Sequence, residues 1–319
     1  MRQITYKIHR FQDNKSFVQE YSFPHEPGKT ILWGLIKIKD TMDPTLTFVA
    51  ACRSAVCGAC AVRVNGQAML ACEVGLDDVT ARFGDTLEIS PIQNFKVIRD
   101  LVVDWEPKAQ RLKEVKPWLI PDEQFTAKSG CRQSPEDFKK IRQQADCILC
   151  GSCASECNKL SADERDFLEP FIFSKAQKFV ADSRDKDFMA HLTPAMAKGL
   201  WKCVHCQECV TKCPKHLEPA EDISKLRQKS VQAGMTDNMG ARHGMAFRDD
   251  IAKTGRLNEA TMSVKTEGLL KSSTRAAFAM RLFVRGKLNP LHLIHSATPV
   301  QGIDKVRAIM KAVKEAEKE

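Results

Sequence analysis

Two short cysteine runs carry much of the metal-binding chemistry in this sequence. Residues 147–157 and 203–213 each follow the spacing C-x2-C-x2-C-x3-C, and Pro214 follows the second run. In this spacing three thiolates from one loop hold a four-iron cluster, while the fourth cysteine of the run reaches the neighbouring cluster. Two such runs in one chain therefore predict two cubane-type iron–sulfur clusters that share ligands between the runs.

A third set of cysteines lies nearer the N-terminus and has a longer, uneven spacing. Cys52, Cys57, Cys60 and Cys72 follow C-x4-C-x2-C-x11-C, which is the plant-type arrangement of a [2Fe-2S] cluster. Residues 61–71 predict a hairpin with an Asn-Gly turn, which would return Cys72 to the loop. The sequence therefore predicts three clusters.

Zinc and disulfides are the alternative uses of these cysteines. Zinc sites usually combine two separated C-x2-C pairs, and two runs of four cysteines match that spacing poorly. Disulfides occur mostly in small exported chains, whereas 12 of the 13 cysteines here fall into three clusters. Iron–sulfur binding is the favoured interpretation, and it implies folding in a reducing compartment, normally the cytoplasm. The remaining cysteine, Cys131, receives no role.

The composition indicates a globular protein rather than a disordered one. The chain has 319 residues, enough for two or three domains, and 43% of them are hydrophobic. The polar N-terminus does not resemble a signal peptide, and no apolar run reaches transmembrane length. We therefore expect a protein that is soluble, or peripheral to a membrane through a partner. No catalytic motif is present, so no catalytic residue is assigned.

The elements that must position the first cysteine loop belong to a β-rich domain. Residues 4–11 alternate apolar and polar side chains, as a half-buried strand does, and residues 17–23 can return antiparallel to them. Residues 30–39 predict a helix with one apolar face. Residues 86–91 predict a closing strand.

The elements around the two later runs are predicted to be helical. Residues 106–128 are predicted as a linker, because three prolines, Pro107 first among them, interrupt any helix. Ser134 and Pro135 then begin a helix that leads into the first run. Residues 161–200 predict about two amphipathic helices between the runs.

Two histidines lie beside the second run. His205 and His216 could each hydrogen-bond a cluster sulfur or relay a proton. A plain surface position is the more frequent case for such histidines.

The C-terminal part of the chain holds the whole excess of positive charge. Residues 225–319 carry 18 Lys and Arg against 9 Asp and Glu, whereas residues 1–224 carry 31 of each. Helices are predicted near 242–255 and at 269–284. The second helix could lie on a membrane surface, although packing on a partner or on the chain itself is favoured. The charge predicts docking to an acidic partner or to anionic headgroups. Nucleic acid is not expected, since no binding motif accompanies the charge.

From these motifs the chain resembles the iron–sulfur subunit of succinate dehydrogenase and fumarate reductase over about residues 1–225. The resemblance implies that Cys52, Cys57, Cys60 and Cys72 hold [2Fe-2S], and that Cys147, Cys150, Cys153 and Cys213 hold [4Fe-4S]. It also implies that Cys157, Cys203 and Cys209 hold a third centre. The supporting segments are Cys52–Cys60 with Cys72, Lys116–Ile120, Cys147–Cys150, Asp182–Asp185 and Cys213–Lys215.

The sequence departs from the usual family pattern in three places. In the usual family pattern a non-cysteine residue lies between the first and the next ligand of the last run, and the third centre is [3Fe-4S]. This chain has Cys206 at that position, so we predict a second [4Fe-4S] cluster. The quinone-site segment after Cys157 is replaced by residues 158–162, so no quinone site is assigned to this chain. Together with the basic extension, these departures resemble the methylmenaquinol:fumarate reductase group. Residues 242–259 are also similar to a small iron–sulfur subunit of heterodisulfide reductases.

The resemblance implies an α+β fold in three parts. These are a β-grasp plant-type ferredoxin domain (1–105), an all-α bacterial-ferredoxin-like domain (106–229) and a basic helical extension (230–319). We expect single electrons to pass between the FAD of a partner flavoprotein and a cysteine-rich or quinone-reactive membrane subunit, with a menaquinone-type quinone reached indirectly. The alternative is a carrier subunit of a thiol-linked fumarate reductase or a heterodisulfide reductase-like complex. The complex would lie at the cytoplasmic (inner) membrane, and on its periplasmic face if the flavoprotein is exported with it.

Overall fold

The computed structural model describes residues 2–121, 125–126, 128–163, 165–287 and 298–316. Contacts within the chain divide it into two compact units, Met1–Gln228 and Lys229–Glu319. Among the described residues, no helix is both long enough and apolar enough to cross a lipid bilayer.

The first unit begins with the strands β1 (Gln3–Gln12), β2 (Lys15–Pro24), β3 (Ala61–Val64), β4 (Gln67–Leu70) and β5 (Thr86–Ser90), and a short hairpin adds β6 (Val97–Arg99) and β7 (Val102–Val103). The first five strands form a mixed sheet in the order β2-β1-β5-β3-β4. Strands β1 and β5 are parallel, and the other neighbouring pairs are antiparallel. Alternate side chains of β1 are buried, as the alternation of apolar and polar residues predicted.

Helix α1 (Ile31–Thr41) covers the sheet and closes its core. It begins at Thr30, whose Oγ1 accepts a hydrogen bond from the Trp33 N–H at 3.3 Å. A Cβ on Gly34 would lie 2.5 Å from the Tyr6 hydroxyl, so the missing side chain lets the helix approach the sheet closely. The core beneath the helix includes the fully buried side chains of Ile4, Tyr6, Ile8, Leu35, Ile38, Leu87 and Ile89.

A buried ion network holds the segment that leads into the first cysteine loop. The Arg10 guanidinium contacts Asp43 at 2.7 Å and Asp100 at 2.9 Å. Asp100 also accepts a hydrogen bond from the backbone N–H of Thr47 at 2.8 Å. Because the Arg10 and Asp100 side chains are almost fully buried, these contacts are shielded from water and fix the approach to the loop.

The remaining elements of the first unit are helices. They are α2 (Leu76–Phe83), α3 (Glu106–Glu114), α4 (Pro135–Ala145), α5 (Ser152–Ser155), α6 (Asn158–Ala162), α7 (Pro170–Val180), α8 (Phe188–Ala197), a 3-10 turn (Leu200–Lys202), α9 (Glu208–Thr211) and α10 (Pro219–Gln232). The last of them, α10, continues four residues beyond Gln228. Helix α4 begins as predicted, with the Ser134 hydroxyl accepting from the Asp137 N–H at 3.0 Å and Pro135 in the first turn.

The predicted linker at 106–128 is wrong in its first third. Residues 106–114 form α3, and Pro107 lies in its first turn. A proline there disrupts nothing, since the first N–H groups of a helix have no intrahelical partner. Helix α3 is held to the start of α7 by a buried ion pair, in which Lys108 Nζ lies 2.9 Å from the Glu169 carboxylate.

The second unit consists of helices in its described part. They are α11 (Met239–Thr254), α12 (Glu259–Glu267), α13 (Leu269–Ser273), α14 (Ala276–Val284) and α15 (Ile303–Ala316). The single helix predicted at 269–284 is therefore wrong, since two helices occupy the range. The Ser273 and Thr274 hydroxyls donate to the carbonyls of Leu270 and Lys271 at 2.8 and 2.7 Å. These bonds compete with helix continuation and end α13.

Candidate metal centres

The first cysteine loop directs several backbone N–H groups at cysteine sulfurs. Cys52 Sγ accepts from Ser54, Val56 and Cys57 at 3.3 to 3.4 Å. Cys72 Sγ accepts from the Ala55 N–H at 3.2 Å. Such donors stabilise negative charge on sulfur, as an iron-bound thiolate requires.

The hairpin β3–β4 returns Cys72 to this loop, as predicted. Asn65 and Gly66 both have positive φ, 46° and 77°, which is the two-residue turn that Asn-Gly favours. The Ala71 N–H then donates to the Cys60 carbonyl at 3.1 Å and sets Cys72 beside the loop. The structure therefore brings the four cysteines of the predicted [2Fe-2S] site together.

The thiols of this loop differ in acidity for identifiable reasons. Hydrogen bonds from the backbone of Ser54 and Val56 lower the pKa of Cys52 to about 6. Burial raises the pKa of Cys60 to about 12. A metal cluster would remove that penalty, because its positive irons compensate the thiolate charge.

The two four-cysteine runs contribute to two separate cavities. Cys147, Cys150, Cys153 and Cys213 line the first cavity. Cys157, Cys203, Cys206 and Cys209 line the second. Each cavity thus takes three cysteines from one run and one from the other, the exchange that the spacing predicts.

The same backbone conformation recurs at the centre of both runs. Leu149 and Gly151 flank Cys150 with φ of 54° and 83°, and His205 and Gln207 flank Cys206 with φ of 53° and 66°. A short helix follows in each case, α5 and α9. Cys206 therefore occupies in the second run the position that Cys150 occupies in the first.

Burial makes most thiols of the two cavities poor acids. It raises the pKa of Cys147, Cys150, Cys157 and Cys203, and it raises the pKa of Cys209 to about 12. In each cavity several thiols converge at a place where an unpaired thiolate charge is unfavourable. Such a site suits an iron–sulfur cluster, because the irons bind soft sulfur ligands and supply the compensating positive charge.

The zinc alternative gains no support from the geometry. A zinc ion draws its ligand atoms to about 2.0–2.3 Å. Among the described residues, no group of three or more His, Cys, Asp or Glu side chains is arranged to hold one metal ion. A cluster of several irons separates its ligands more widely.

Two cations near the cavities were missed by sequence reasoning. Lys175 Nζ on α7 donates to the carbonyls of Gln144 and Cys147 at 3.2 and 3.3 Å, and burial lowers its pKa. Arg227 on α10 donates to the carbonyls of Leu200 and Cys203 at 3.1 and 2.8 Å. Neither cation lies in a recognisable motif, and only the fold places them beside the cysteines.

The prediction of a plain surface histidine is wrong for His205. Its Nε2 lies 2.7 Å from Arg227 Nη1, and its backbone N–H donates to Cys203 Sγ at 3.4 Å. Burial and the neighbouring guanidinium lower the pKa of His205. Its ring is therefore neutral and accepts the bond from Arg227. His216 is exposed, as predicted.

The first cysteine loop lies directly against the first four-cysteine run. A Cβ on Gly58 would lie 2.8 Å from both Cα and Cβ of Cys150. A Cβ on Gly151 would lie 2.9 Å from the Trp105 ring. Both positions require glycine by their positive φ and by this close approach.

Hydrogen bonds fasten the same two regions together. Asn94 Nδ2 donates to the Ala154 carbonyl at 2.8 Å, and the Gln93 N–H donates to Ser155 Oγ at 3.0 Å. The Glu156 carboxylate accepts from the Ala68 N–H at 3.1 Å. The loops that present cysteines to different centres are thus held at fixed separation.

Comparison with known proteins identifies the family. The chain is 45% identical over 317 residues to the 8-methylmenaquinol:fumarate reductase iron-sulfur subunit of Wolinella succinogenes, covering 98% of this chain and 99% of that protein. It belongs to the family of succinate dehydrogenase and fumarate reductase iron–sulfur subunits. Family models described as a 2Fe-2S iron-sulfur cluster binding domain and a 4Fe-4S dicluster domain match residues 5–110 and 143–217.

Other relatives match a shorter part of the chain. The fumarate reductase iron-sulfur subunit of Mycobacterium tuberculosis is 34% identical, covering 71% of this chain and 92% of that protein. A chain of the Mycobacterium smegmatis Sdh1 complex has the same fold, with a TM-score of 0.66 at 19% identity, covering 72% of this chain and 96% of that one. Over a quarter of this chain is thus unmatched in these relatives.

Membership of this family establishes the general function. The chain carries 2Fe-2S and 4Fe-4S clusters and transfers electrons as one subunit of an oxidoreductase complex. Its fold combines a domain of the 2Fe-2S type, built on a mixed sheet, with a helical domain of the 4Fe-4S type.

Proposed function

We propose that this chain is the electron-transfer subunit of a fumarate reductase that draws electrons from a methylmenaquinol-type quinol. The observation that carries the proposal is the match to the Wolinella succinogenes subunit, which extends over 98% of this chain. The match to the fumarate reductase subunit of Mycobacterium tuberculosis covers only 71% of this chain. The additional length shared with the first relative favours this type of complex.

The proposed ligand sets are those of the sequence prediction. Cys52, Cys57, Cys60 and Cys72 would hold [2Fe-2S], Cys147, Cys150, Cys153 and Cys213 would hold [4Fe-4S], and Cys157, Cys203, Cys206 and Cys209 would hold a second [4Fe-4S]. The two shared cavities support the last two sets. The matching backbone conformations around Cys150 and Cys206 support the fourth ligand of the third centre.

Clusters at these sites supply one-electron transfer, while the protein sets their positions and potentials. A flavoprotein partner would exchange electrons with fumarate or succinate at its FAD. A cysteine-rich or quinone-reactive subunit would receive or supply electrons at the other end. The close approach of Gly58 to Cys150 supports a continuous route between the first two centres. Residues 158–162 form the short helix α6, and no quinone site is placed there.

The domain division that accompanies this proposal is 1–105 for a β-grasp domain, 106–229 for the helical domain and 230–319 for the basic extension. The sheet order with β1 beside parallel β5 supports the first assignment. The proposed location is the inner membrane, with the chain held there peripherally by its partner subunits.

The test is purification of the complex through an affinity tag on this chain under anoxic conditions. We expect a flavin-containing subunit to co-purify, and we expect the complex to reduce fumarate with a reduced menaquinone analogue. Fumarate reduction by thiols but not by the quinol would replace this proposal with the thiol-linked alternative. A colourless protein that contains zinc and no iron would overturn both.

A further inference from the structure

The segment 269–287 in the second unit exposes an unusual number of large apolar side chains. It comprises α13, α14 and the residues immediately around them. None of the described residues of these two helices is buried. Leu269 and Leu270 are 76% and 90% exposed. The other exposed apolar side chains are Phe278, Met280, Phe283 and Val284. The sequence favoured packing on a partner or on the chain itself; the described residues show no burial of these helices on the chain, and packing on a partner stays a prediction.

Three of the four exposed large apolar side chains of α14 form a stripe. Met280 lies three residues before Phe283 and four before Val284, so the three side chains share one face of the helix. Arg281 and Arg285 are four residues apart and lie side by side on the flank of that face. The helix thus has an apolar face bordered by cations, all of it exposed to solvent.

The charge of the segment has one sign only. Five cations and no Asp or Glu occur between residues 269 and 287: Lys271, Arg275, Arg281, Arg285 and Lys287. Arg275 pairs with Glu267 at 2.7 Å. No described carboxylate lies within ion-pair distance of the other four cations. Their charge is therefore available to an external anion.

We propose that the segment 269–287 docks this chain directly onto an anionic lipid surface. The apolar face enters the boundary between headgroups and acyl chains, and the cations contact the phosphates. This goes beyond the proposed function, in which only partner subunits bring the chain to the membrane.

The pattern fits an anionic lipid surface. Five cations without an Asp or Glu between residues 269 and 287 match a layer of phosphates, and the exposed apolar stripe beside them matches the acyl boundary beneath that layer. Arginine can lay its aliphatic stem along apolar surface while its head stays at the level of the phosphates. A short helix with this distribution suits the plane of a membrane interface.

The test is flotation of the full-length chain, with its clusters loaded and without partner subunits, on vesicles of defined composition. We expect it to float with vesicles that contain phosphatidylglycerol and not with pure phosphatidylcholine vesicles. Added salt should reduce the binding, because salt screens attraction between exposed charges. A chain that stays unbound with both kinds of vesicle would overturn the proposal.

Two paired variants with matched controls locate the binding surface. Phe283→Ser with Val284→Ser should lower vesicle partitioning roughly tenfold, since both side chains would lie in the apolar boundary. Arg281→Gln with Arg285→Gln should have a similar effect on anionic vesicles. The control Ile309→Ser with Val313→Ser removes two apolar side chains of α15 that are 65% and 53% exposed, against 47% and 77% for Phe283 and Val284. Control variants should bind as the native chain does.

Two further outcomes would contradict the proposal. An equal loss of vesicle binding in the α15 control would mean that binding depends on exposed apolar side chains in general and not on the segment 269–287. Unchanged lipid binding in the α14 variants, together with loss of partner subunits from the purified complex, would make the segment a protein interface. In every variant the EPR spectrum of the clusters should be unchanged, so failure of this proposal is distinguishable from failure of the proposed electron-transfer function.

Discussion

The α-carbon of Gly58 faces Cys150 so closely that a Cβ at this position would lie 2.8 Å from the Cα and Cβ of Cys150. Gly58 belongs to the predicted [2Fe-2S] loop and Cys150 to the first four-cysteine run. No side chain fits between them, so the two loops are in direct backbone contact.

Gly58→Ala should therefore slow electron transfer between the first two centres. The added methyl group must push the loops apart, and the alanine must also adopt a φ of +75°, which costs about 1–2 kcal/mol. We expect rapid-mixing measurements to show slower reduction of the first [4Fe-4S] cluster while each cluster keeps its own spectrum.

Gly66→Ala is the matched control for this variant. Gly66 has a similar φ of +77°, but its Cβ would meet nothing closer than 3.9 Å. It should lose similar stability without a change in electron-transfer rate. If the first [4Fe-4S] cluster were reduced at the same rate in Gly58→Ala and in the native protein, electron transfer would not depend on the contact between Gly58 and Cys150.

Cys206→Ser should convert the third centre to a three-iron form. Cys206 is placed like Cys150 and lines the second cavity, so its loss removes one ligand and leaves Cys157, Cys203 and Cys209. We expect a strong [3Fe-4S] signal in the low-temperature EPR spectrum of the oxidised variant, where the native protein gives none. Cys131→Ser is the control and should leave the spectrum unchanged. A native protein that already shows the [3Fe-4S] signal would mean that Cys206 is not a ligand.

Arg227→Gln should lower the reduction potential of the third centre. The guanidinium donates to the Cys203 carbonyl and to His205, and arginine stays charged at neutral pH. Reduction adds negative charge, which the nearby cation stabilises. We expect a downward shift of roughly 60 mV in an EPR-monitored redox titration, equivalent to a tenfold change in a one-electron equilibrium.

Two comparisons make the Arg227 experiment specific. Arg227→Lys keeps the charge and should recover much of the potential, although it loses the fork of hydrogen bonds. Arg2→Gln removes the same charge from an exposed pair with Asp85 in the sheet region and should leave the third centre unaffected. A lower potential in Arg2→Gln of the same size would point to a general effect of net charge.

Glu156→Ala should loosen the join between the sheet and the first cysteine run. The nearly buried carboxylate accepts from the Ala68 N–H and lies 3.4 Å from Arg63 Nε. Removing the carboxylate leaves the Ala68 N–H and the Arg63 guanidinium without this partner, and should lower the free energy of unfolding by about 2 kcal/mol. We expect the melting temperature, followed through the cluster absorbance, to fall by roughly 5 °C.

A surface ion pair supplies the control for Glu156. Glu20 pairs with Lys7 at 2.8 Å, and both side chains are about half exposed. Exposed pairs contribute little, so Glu20→Ala should change stability by less than about 0.5 kcal/mol. Equal melting temperatures for the two variants would mean that Glu156 does not stabilise the contact between the sheet and the first cysteine run.

Local spacing predicted the cysteine groupings because each run is a contiguous loop whose geometry depends on few residues. The spacing also predicted that the fourth cysteine of each run, Cys157 or Cys213, joins the other cluster, and the family resemblance implied the same ligand sets. The structure places these cysteines in shared cavities. Their role as ligands stays a prediction.

Features that depend on position within an element, or on distant residues, were not predictable in the same way. A proline breaks a helix when it lies in the interior but not when it lies in the first turn. Pro107 lies in the first turn of α3, and the sequence alone did not show where that helix begins. The hydroxyls of Ser273 and Thr274 ended α13 through local bonds that propensity does not reveal. Arg227 meets Cys203 only because α10 folds back onto the second run.

The exchange of cysteines between the two runs has a consequence for synthesis of the protein. The first cavity is complete only when Cys213 is present, although its other three cysteines are translated much earlier. The second cavity takes Cys157 from the earlier run. A ribosome must therefore release the chain past residue 209 before the second cubane can be fully ligated, and past residue 213 before the first can. A nascent chain that stops short of residue 209 would offer the assembly machinery two incomplete sites, and both clusters should mature late and nearly together.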